Sequence, residues 1–151
     1  MLGAVVHIGL TVSDMERSKQ FYGELLGLKF LGEMLMEGPE TDALFGGENC
    51  RAKVAYFKGS EEIHSPSIEL IHFLDAPVRA IPSDLRMTSI SEVCFVVDDI
   101  DAVYQHLVAS GVDCISAPQS FDFTDDGLGR SKAIYFRDPD GIILELMEYL
   151  D

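Results

Sequence analysis

Two segments of the chain share one pattern, in which a strand of alternating apolar residues runs directly into a helix. They cover residues 7–16 and 92–101. Apolar and β-branched residues at every second position are typical of a half-buried strand. The helices that follow carry apolar residues at helical spacing, and each is expected to end at a glycine, Gly27 or Gly111. The chain therefore contains a strand-helix unit twice.

The helix starts carry capping signals. Ser13 and Glu16 form a capping box in the sequence, and Asp98 takes the equivalent place before the second helix. Two other segments, 33–51 and 120–130, are rich in Gly, Asp and Glu and show no clear periodicity. We expect loops there, and either loop is suited to cover a ligand site, 120–130 as a mobile cover.

The later parts of the two halves also correspond. Residues 54–58 resemble residues 133–137, and residues 67–70 resemble residues 143–146. The segment 138–141 reads Asp-Pro-Asp-Gly, a strong turn signal that closes a hairpin in the second half. Each half is thus predicted to add further strands after its first helix.

This repetition predicts an α+β fold built from two βαβββ modules. The first module is placed at residues 1–74 and the second at residues 89–151, and both belong to a single domain, 1–151. The proline-containing segment 74–88 is expected to link them. A chain of 151 residues is long enough to bury a core of this kind.

Composition narrows the function classes. The net charge of −15 excludes a general nucleic-acid binder, which needs basic residues against phosphates. It suits a cationic ligand or a metal ion, or it simply keeps the protein soluble. No apolar run approaches a membrane span, and the N-terminus lacks the features of a signal peptide. Three cysteines without CxxC spacing indicate neither a disulfide framework nor a zinc site, so a cytoplasmic location is expected.

Four ionisable residues stand on strand faces whose other members are largely apolar: His7, Glu69, Glu92 and Glu145. A carboxylate in such surroundings is costly unless it meets a cation or hydrogen bonds. Taken singly, the histidine is explained as a hydrogen-bonded structural residue, and each glutamate as a residue at a solvent-exposed edge of the sheet. Because they recur at corresponding positions of a repeat, we expect a metal or acid–base site.

The residues that support a family assignment are 7–27, with Phe21-Tyr22 and a Leu-Leu-Gly-Leu run, and 135–141 followed by 144–146. With these stretches the chain resembles the vicinal oxygen chelate superfamily, which includes glyoxalases, bleomycin-resistance proteins and extradiol dioxygenases. The resemblance implies paired βαβββ modules that form a half-open barrel around one divalent metal. It also implies a homodimer with a small-molecule substrate and neither nucleic acid nor membrane as partner.

By the same resemblance the metal ligands are His7, Glu69, Glu92 and Glu145. Glu92 departs from the family pattern, because the metalloenzymes commonly carry histidine there. Glu92 is therefore open to two roles, as a ligand or as a free general base near the metal. An oxygen-rich ligand set favours hard ions such as Mn²⁺, Mg²⁺ or Fe²⁺ over Zn²⁺, Ni²⁺ or Co²⁺.

Three functions follow as hypotheses. The first is a glyoxalase-like lyase or isomerase, in which the metal stabilises an enediolate or similar oxyanion of an oxygen-chelating substrate. Arg130 is then predicted to bind an anionic group of the substrate. The second is a metal-free drug-binding protein of the bleomycin-resistance type. The third is an iron-dependent ring-cleaving dioxygenase, which the missing second histidine disfavours.

Overall fold

The first half of the chain forms a βαβββ module with one added helix. The computed structural model describes residues 3–60, 65–81 and 83–150, and the chain divides into two compact units, Met1–Ala80 and Ile81–Asp151. The elements of the first unit are β1 (His7–Thr11), α1 (Met15–Lys19), a π-helix (Gln20–Leu25), β2 (Lys29–Met36), α2 (Pro39–Phe45), β3 (Ala52–Lys58) and β4 (Ser67–Phe73).

The second unit repeats this order without the added helix. Its elements are β5 (Val93–Val96), α3 (Ile100–Ala109), β6 (Gln119–Phe123), a 3₁₀-helix (Thr124–Asp126), β7 (Gly129–Arg137) and β8 (Ile143–Tyr149). The strand orders are β1-β4-β3-β2 and β5-β8-β7-β6, so both sheets are mixed and have the same topology. In each, the first and last strands of the module pair in parallel at one edge. The predicted α+β fold of two βαβββ modules is confirmed.

Strand alternation sends one face of each sheet towards a helix. In the first unit Leu10, Leu70 and Tyr22 are buried on that side, and in the second Leu107 and Phe136 are. Val6 is exposed and precedes β1, so the apolar face of this strand begins after it. The helices are short, and none in the described residues is long and apolar enough to cross a membrane. The opposite face of each sheet, here called the open face, carries the candidate residues. In the first unit α2 reaches one end of this face, where Phe45 packs against Phe73.

The helix caps lie one residue later than the sequence predicted. Asp14, not Ser13, caps α1 by accepting a bond from the backbone N–H of Arg17 at 3.0 Å. Asp99, not Asp98, caps α3 in the same way. The physical reason is that each first strand stays bonded to the sheet for one residue beyond its end, through the backbone N–H of Val12 or of Val97. The glycines predicted to end the helices do lie in the left-handed region, Gly27 at φ 73° and Gly111 at φ 75°.

The two segments expected to be loops contain regular structure, and this prediction was wrong. Residues 33–51 include the end of β2 and the whole of α2, while 120–130 includes most of β6 and the start of β7. Both β2 and β6 are edge strands that pair antiparallel with the next strand along the chain. Their hydrogen bonds come from that partner, so local periodicity is a weak guide to them.

The turn between β7 and β8 is held by one buried carboxylate. Asp138 is only 4% exposed, and its Oδ1 accepts bonds from the backbone N–H of Asp140 at 2.9 Å and of Ile142 at 2.8 Å. Gly141 adopts φ 85°, as the turn requires. The predicted hairpin is confirmed, and it fixes the register that places β8 beside β7.

Asp138→Ala is expected to lower the free energy of unfolding by about 2 kcal/mol or more, because two part-buried N–H groups lose their acceptor. Urea unfolding followed by circular dichroism measures the change. Asp125→Ala removes an exposed aspartate of the same unit and serves as the matched control. Equal stability of the two variants would contradict this role of Asp138.

Candidate functional site

In the first unit, His7 and Glu69 lie side by side on the face opposite the one that packs against α1 and the π-helix. The parallel pairing of β1 with β4 sets Gly9 opposite Glu69 and puts His7 on the same face, two residues earlier. His7 Nε2 lies 3.4 Å from Glu69 Oε2. The histidine side chain is 42% exposed and the glutamate 12%, so an imidazole nitrogen that faces solvent meets a nearly buried carboxylate.

Tyr56 completes this cluster from the neighbouring strand. It sits opposite Glu69 in the β3–β4 register, and its hydroxyl donates to Glu69 Oε1 at 2.6 Å. The edge of the ring also contacts His7, with ring centroids 5.9 Å apart. The hydrogen bond to Glu69, with burial and the carboxylate charge, raises the pKa of Tyr56 to about 12. At neutral pH the phenol therefore keeps its proton and acts as a donor.

Gly9 leaves room for the Glu69 carboxylate. A Cβ atom at this position would lie 3.1 Å from Glu69 Oε2, tighter than ordinary contact. A side chain at position 9 would therefore press on the oxygen that faces His7. The two oxygens of Glu69 thus have different surroundings, a phenol on one and an imidazole on the other.

In the second unit, Glu145 occupies the position that Glu69 has in the first. It lies opposite Cys94 in the parallel β5–β8 pair and opposite Tyr135 in the antiparallel β7–β8 pair. Glu145 is only 8% exposed, and the Cys94 thiol donates a hydrogen bond to its carboxylate. Burial, this hydrogen bond and the nearby acids raise the pKa of Cys94 to about 12, so the thiol stays protonated.

Glu92 stands two residues before Cys94, as His7 stands two residues before Gly9. It immediately precedes β5 and is half-buried. Burial first, and then the charge of Glu92, raise the pKa of Glu145, while the hydrogen bond from Cys94 lowers it. Among the described residues that influence Glu145 there is no cation. In the described part of this unit, two carboxylates therefore lie near each other.

The pairs His7/Glu69 and Glu92/Glu145 occupy equivalent positions in two sheets of the same topology. Each unit brings its own two predicted residues to one face. Within the described residues, no group of three or more His, Cys, Asp or Glu side chains is placed to hold a metal ion. Each unit thus offers a pair of donors rather than a complete coordination sphere.

The sequence reasoning missed the two tyrosines and an aromatic pair. Tyr56 and Tyr135 stand at the same place in the two repeated segments, a signal that was available in the sequence. Phe121 and Phe123 share the open face of the second sheet with Tyr135, as the register shows. Their rings are stacked with centroids 5.8 Å apart, and both side chains are partly exposed.

Arg130 is not brought to this face. It is exposed, lies opposite Asp122 in the β6–β7 register, and contributes to the lowered pKa of that aspartate after the hydrogen bonds from Thr124. Along β7 it alternates with Tyr135, so it points to the other side of the sheet. Its predicted role in substrate binding stays a prediction.

Known proteins resemble this chain over its whole length. A protein of Escherichia coli described as uncharacterized protein YaeR is 30% identical over 98% of this chain and 99% of its own. A glyoxalase family protein from Bacillus cereus has the same fold, with a TM-score of 0.86 and 22% identity over 100% of this chain and 97% of that one. A glyoxalase I mutant from Zea mays matches with a TM-score of 0.70 and 18% identity, over 98% of this chain and 46% of that one.

The family model of the Glyoxalase/Bleomycin resistance protein/Dioxygenase superfamily matches residues 4–146, which include both donor pairs and both tyrosines. With the repeated βαβββ topology and the paired donors at equivalent positions, this match shows that the chain belongs to that superfamily.

Proposed function

We propose that this protein is a divalent-metal-dependent lyase or isomerase whose substrate is a small molecule with two neighbouring oxygen atoms. The proposed ligands of one ion are His7, Glu69, Glu92 and Glu145. The observation that carries the proposal is the equivalence of the two donor pairs. Glu69 and Glu145 lie at the same register position of the two parallel pairs, and His7 and Glu92 each stand two residues before the parallel partner of that glutamate. Membership of a superfamily that includes glyoxalases supports the reaction class.

The chemistry of the donors fits a divalent ion. An imidazole and carboxylates are common ligands of such ions, and the carboxylate-rich set suits Mn²⁺, Mg²⁺ or Fe²⁺. Glu145 supports this fit most directly, because a carboxylate that is 8% exposed is costly without a cation. When bound, the ion supplies a Lewis acid that stabilises negative charge on substrate oxygens.

The chain's own residues supply orientation and proton transfer. Tyr56 holds the Glu69 carboxylate by one oxygen, which fixes the direction of the other. Cys94 does the same for Glu145 through its thiol. Glu92 is assigned as a ligand because it stands where His7 stands in the other unit. Its second possible role is that of a general base, which takes a proton from the substrate.

A metal-free binder of small cationic molecules is the second candidate. It is favoured by the stacked rings of Phe121 and Phe123, which lie on the same sheet face as Glu145. Aromatic faces beside carboxylates attract flat cations. Metal analysis of the purified protein separates this candidate from the enzyme, and oxygen consumption separates an iron dioxygenase from a lyase or isomerase.

His7→Ala is expected to lower the affinity for Mn²⁺ at least about tenfold and to leave the fold intact, because the side chain lies on the open face. Isothermal titration calorimetry and metal analysis measure binding, and thermal unfolding checks the fold. His72→Ala is the matched control, since His72 lies in the same sheet but alternates with Glu69 onto the other face. Unchanged Mn²⁺ binding in His7→Ala, or an equal loss in His72→Ala, would refute the ligand assignment.

Glu92→Gln and Glu92→His are expected to differ. The glutamine variant should bind both Mn²⁺ and Zn²⁺ more weakly, whereas the histidine variant should retain binding and shift its preference towards Zn²⁺, because imidazole suits that ion. Calorimetric titration with each ion measures the preference. If both variants bind Mn²⁺ as tightly as the natural protein, Glu92 is not a ligand and the role of general base remains for it.

A further inference from the structure

We propose that Tyr56 restricts Glu69 to a single metal-binding oxygen and thereby selects small divalent ions against Ca²⁺. This inference rests on the proposed function, in which Glu69 is a ligand. It assigns to Tyr56 the role of a positioning residue that determines metal specificity.

The contacts of Glu69 divide its two oxygens. Oε1 accepts the hydroxyl of Tyr56 at 2.6 Å, within the short range of a hydrogen bond to a charged acceptor. Oε2 faces His7 Nε2 at 3.4 Å, and the absence of a side chain at Gly9 leaves that oxygen unobstructed. The oxygen beside the second proposed ligand is thus the one available to an ion, while the other is engaged within the protein.

The burial of the cluster makes this restriction hard to relax. The Glu69 side chain is 12% exposed, so water cannot readily replace the phenol as the partner of Oε1. If Oε1 turned to an ion, the Tyr56 hydroxyl would lose its acceptor. Both effects hold the carboxylate in a one-oxygen arrangement.

Denticity distinguishes calcium from smaller ions. Ca²⁺ takes six to eight oxygen ligands and often uses both oxygens of a carboxylate, whereas smaller ions prefer fewer ligands at shorter distances. A glutamate with one engaged oxygen contributes only one donor atom. Such a site therefore disfavours Ca²⁺ relative to Mn²⁺.

The second unit provides an internal control. Tyr135 lies opposite Glu145 as Tyr56 lies opposite Glu69. The described hydrogen bonds, however, include one from Tyr56 to Glu69 and none from Tyr135 to Glu145. Removal of the Tyr135 hydroxyl should therefore leave the denticity of either carboxylate unchanged.

The test is calorimetric titration of the full chain with Mn²⁺ and with Ca²⁺, for the natural protein, Tyr56→Phe and Tyr135→Phe. In Tyr56→Phe the ratio of Mn²⁺ affinity to Ca²⁺ affinity should fall about tenfold or more, the scale expected for an outer partner of a ligand. In Tyr135→Phe the ratio should stay within about twofold. Phenylalanine keeps the ring contact with His7, and thermal unfolding verifies that the variant is folded.

Tyr56→Met, which removes both the ring and the hydroxyl, should shift the ratio in the same direction and provides a second test if the phenylalanine variant is unstable. An equal loss of affinity for both ions in Tyr56→Phe would overturn the inference, as would an unchanged ratio or an equal shift in Tyr135→Phe. In those cases the natural protein still binds Mn²⁺ and the proposed function stands. If the natural protein binds neither ion, the proposed function and this inference both fail.

Discussion

The parallel pairing of the first and last strands of each module is the constraint on which the candidate site depends. This pairing sets Gly9 opposite Glu69 and Cys94 opposite Glu145. Because side chains two positions apart in a strand share a face, a residue two positions before that pair lies on the same face as the carboxylate. His7 in one unit and Glu92 in the other are placed by this rule. Two donors per unit are thus a consequence of topology, given the residue types at four positions.

The same topology buries carboxylates on an apolar sheet, which costs free energy because the charge loses its water. The two units offset this desolvation differently. Glu69 receives a phenol hydroxyl and faces an imidazole, so its charge has a strong donor beside it. Glu145 receives a thiol, which is a weak donor, and it has Glu92 nearby with no cation among its described partners. The second unit therefore has the greater electrostatic need for a positive ion.

Much of this arrangement was predictable because it follows from periodicity and repetition. Alternation located the faces of β1 and β8, and the repeat singled out the four ionisable residues. The two helices end at the glycines that the sequence predicted, and the turn at 138–141 closes the hairpin. These features depend on residues close in sequence, for which local patterns are informative.

The failures have a common physical origin in hydrogen bonds between strands, which the periodicity of a single segment does not reveal. Edge strands β2 and β6 depend on hydrogen bonds from β3 and β7, so their own composition indicated loops. The caps moved by one residue because the sheet keeps its first strand bonded for one residue more. The segment that carries Arg130 was expected to be a loop, but it joins β7, where Arg130 alternates with Tyr135.

Differences between the two units indicate how a repeated scaffold acquires a specific site. The carboxylate and its opposing tyrosine are kept in both units, whereas the residue paired with the carboxylate in parallel is glycine in one and cysteine in the other. The glycine position leaves Glu69 beside the Tyr56 hydroxyl, whereas Glu145 has the Cys94 thiol as its parallel neighbour. The residue at this single position therefore differs together with the neighbours of the carboxylate. Two copies of one topology thus present chemically different acids, one bonded to a phenol and one bonded to a thiol.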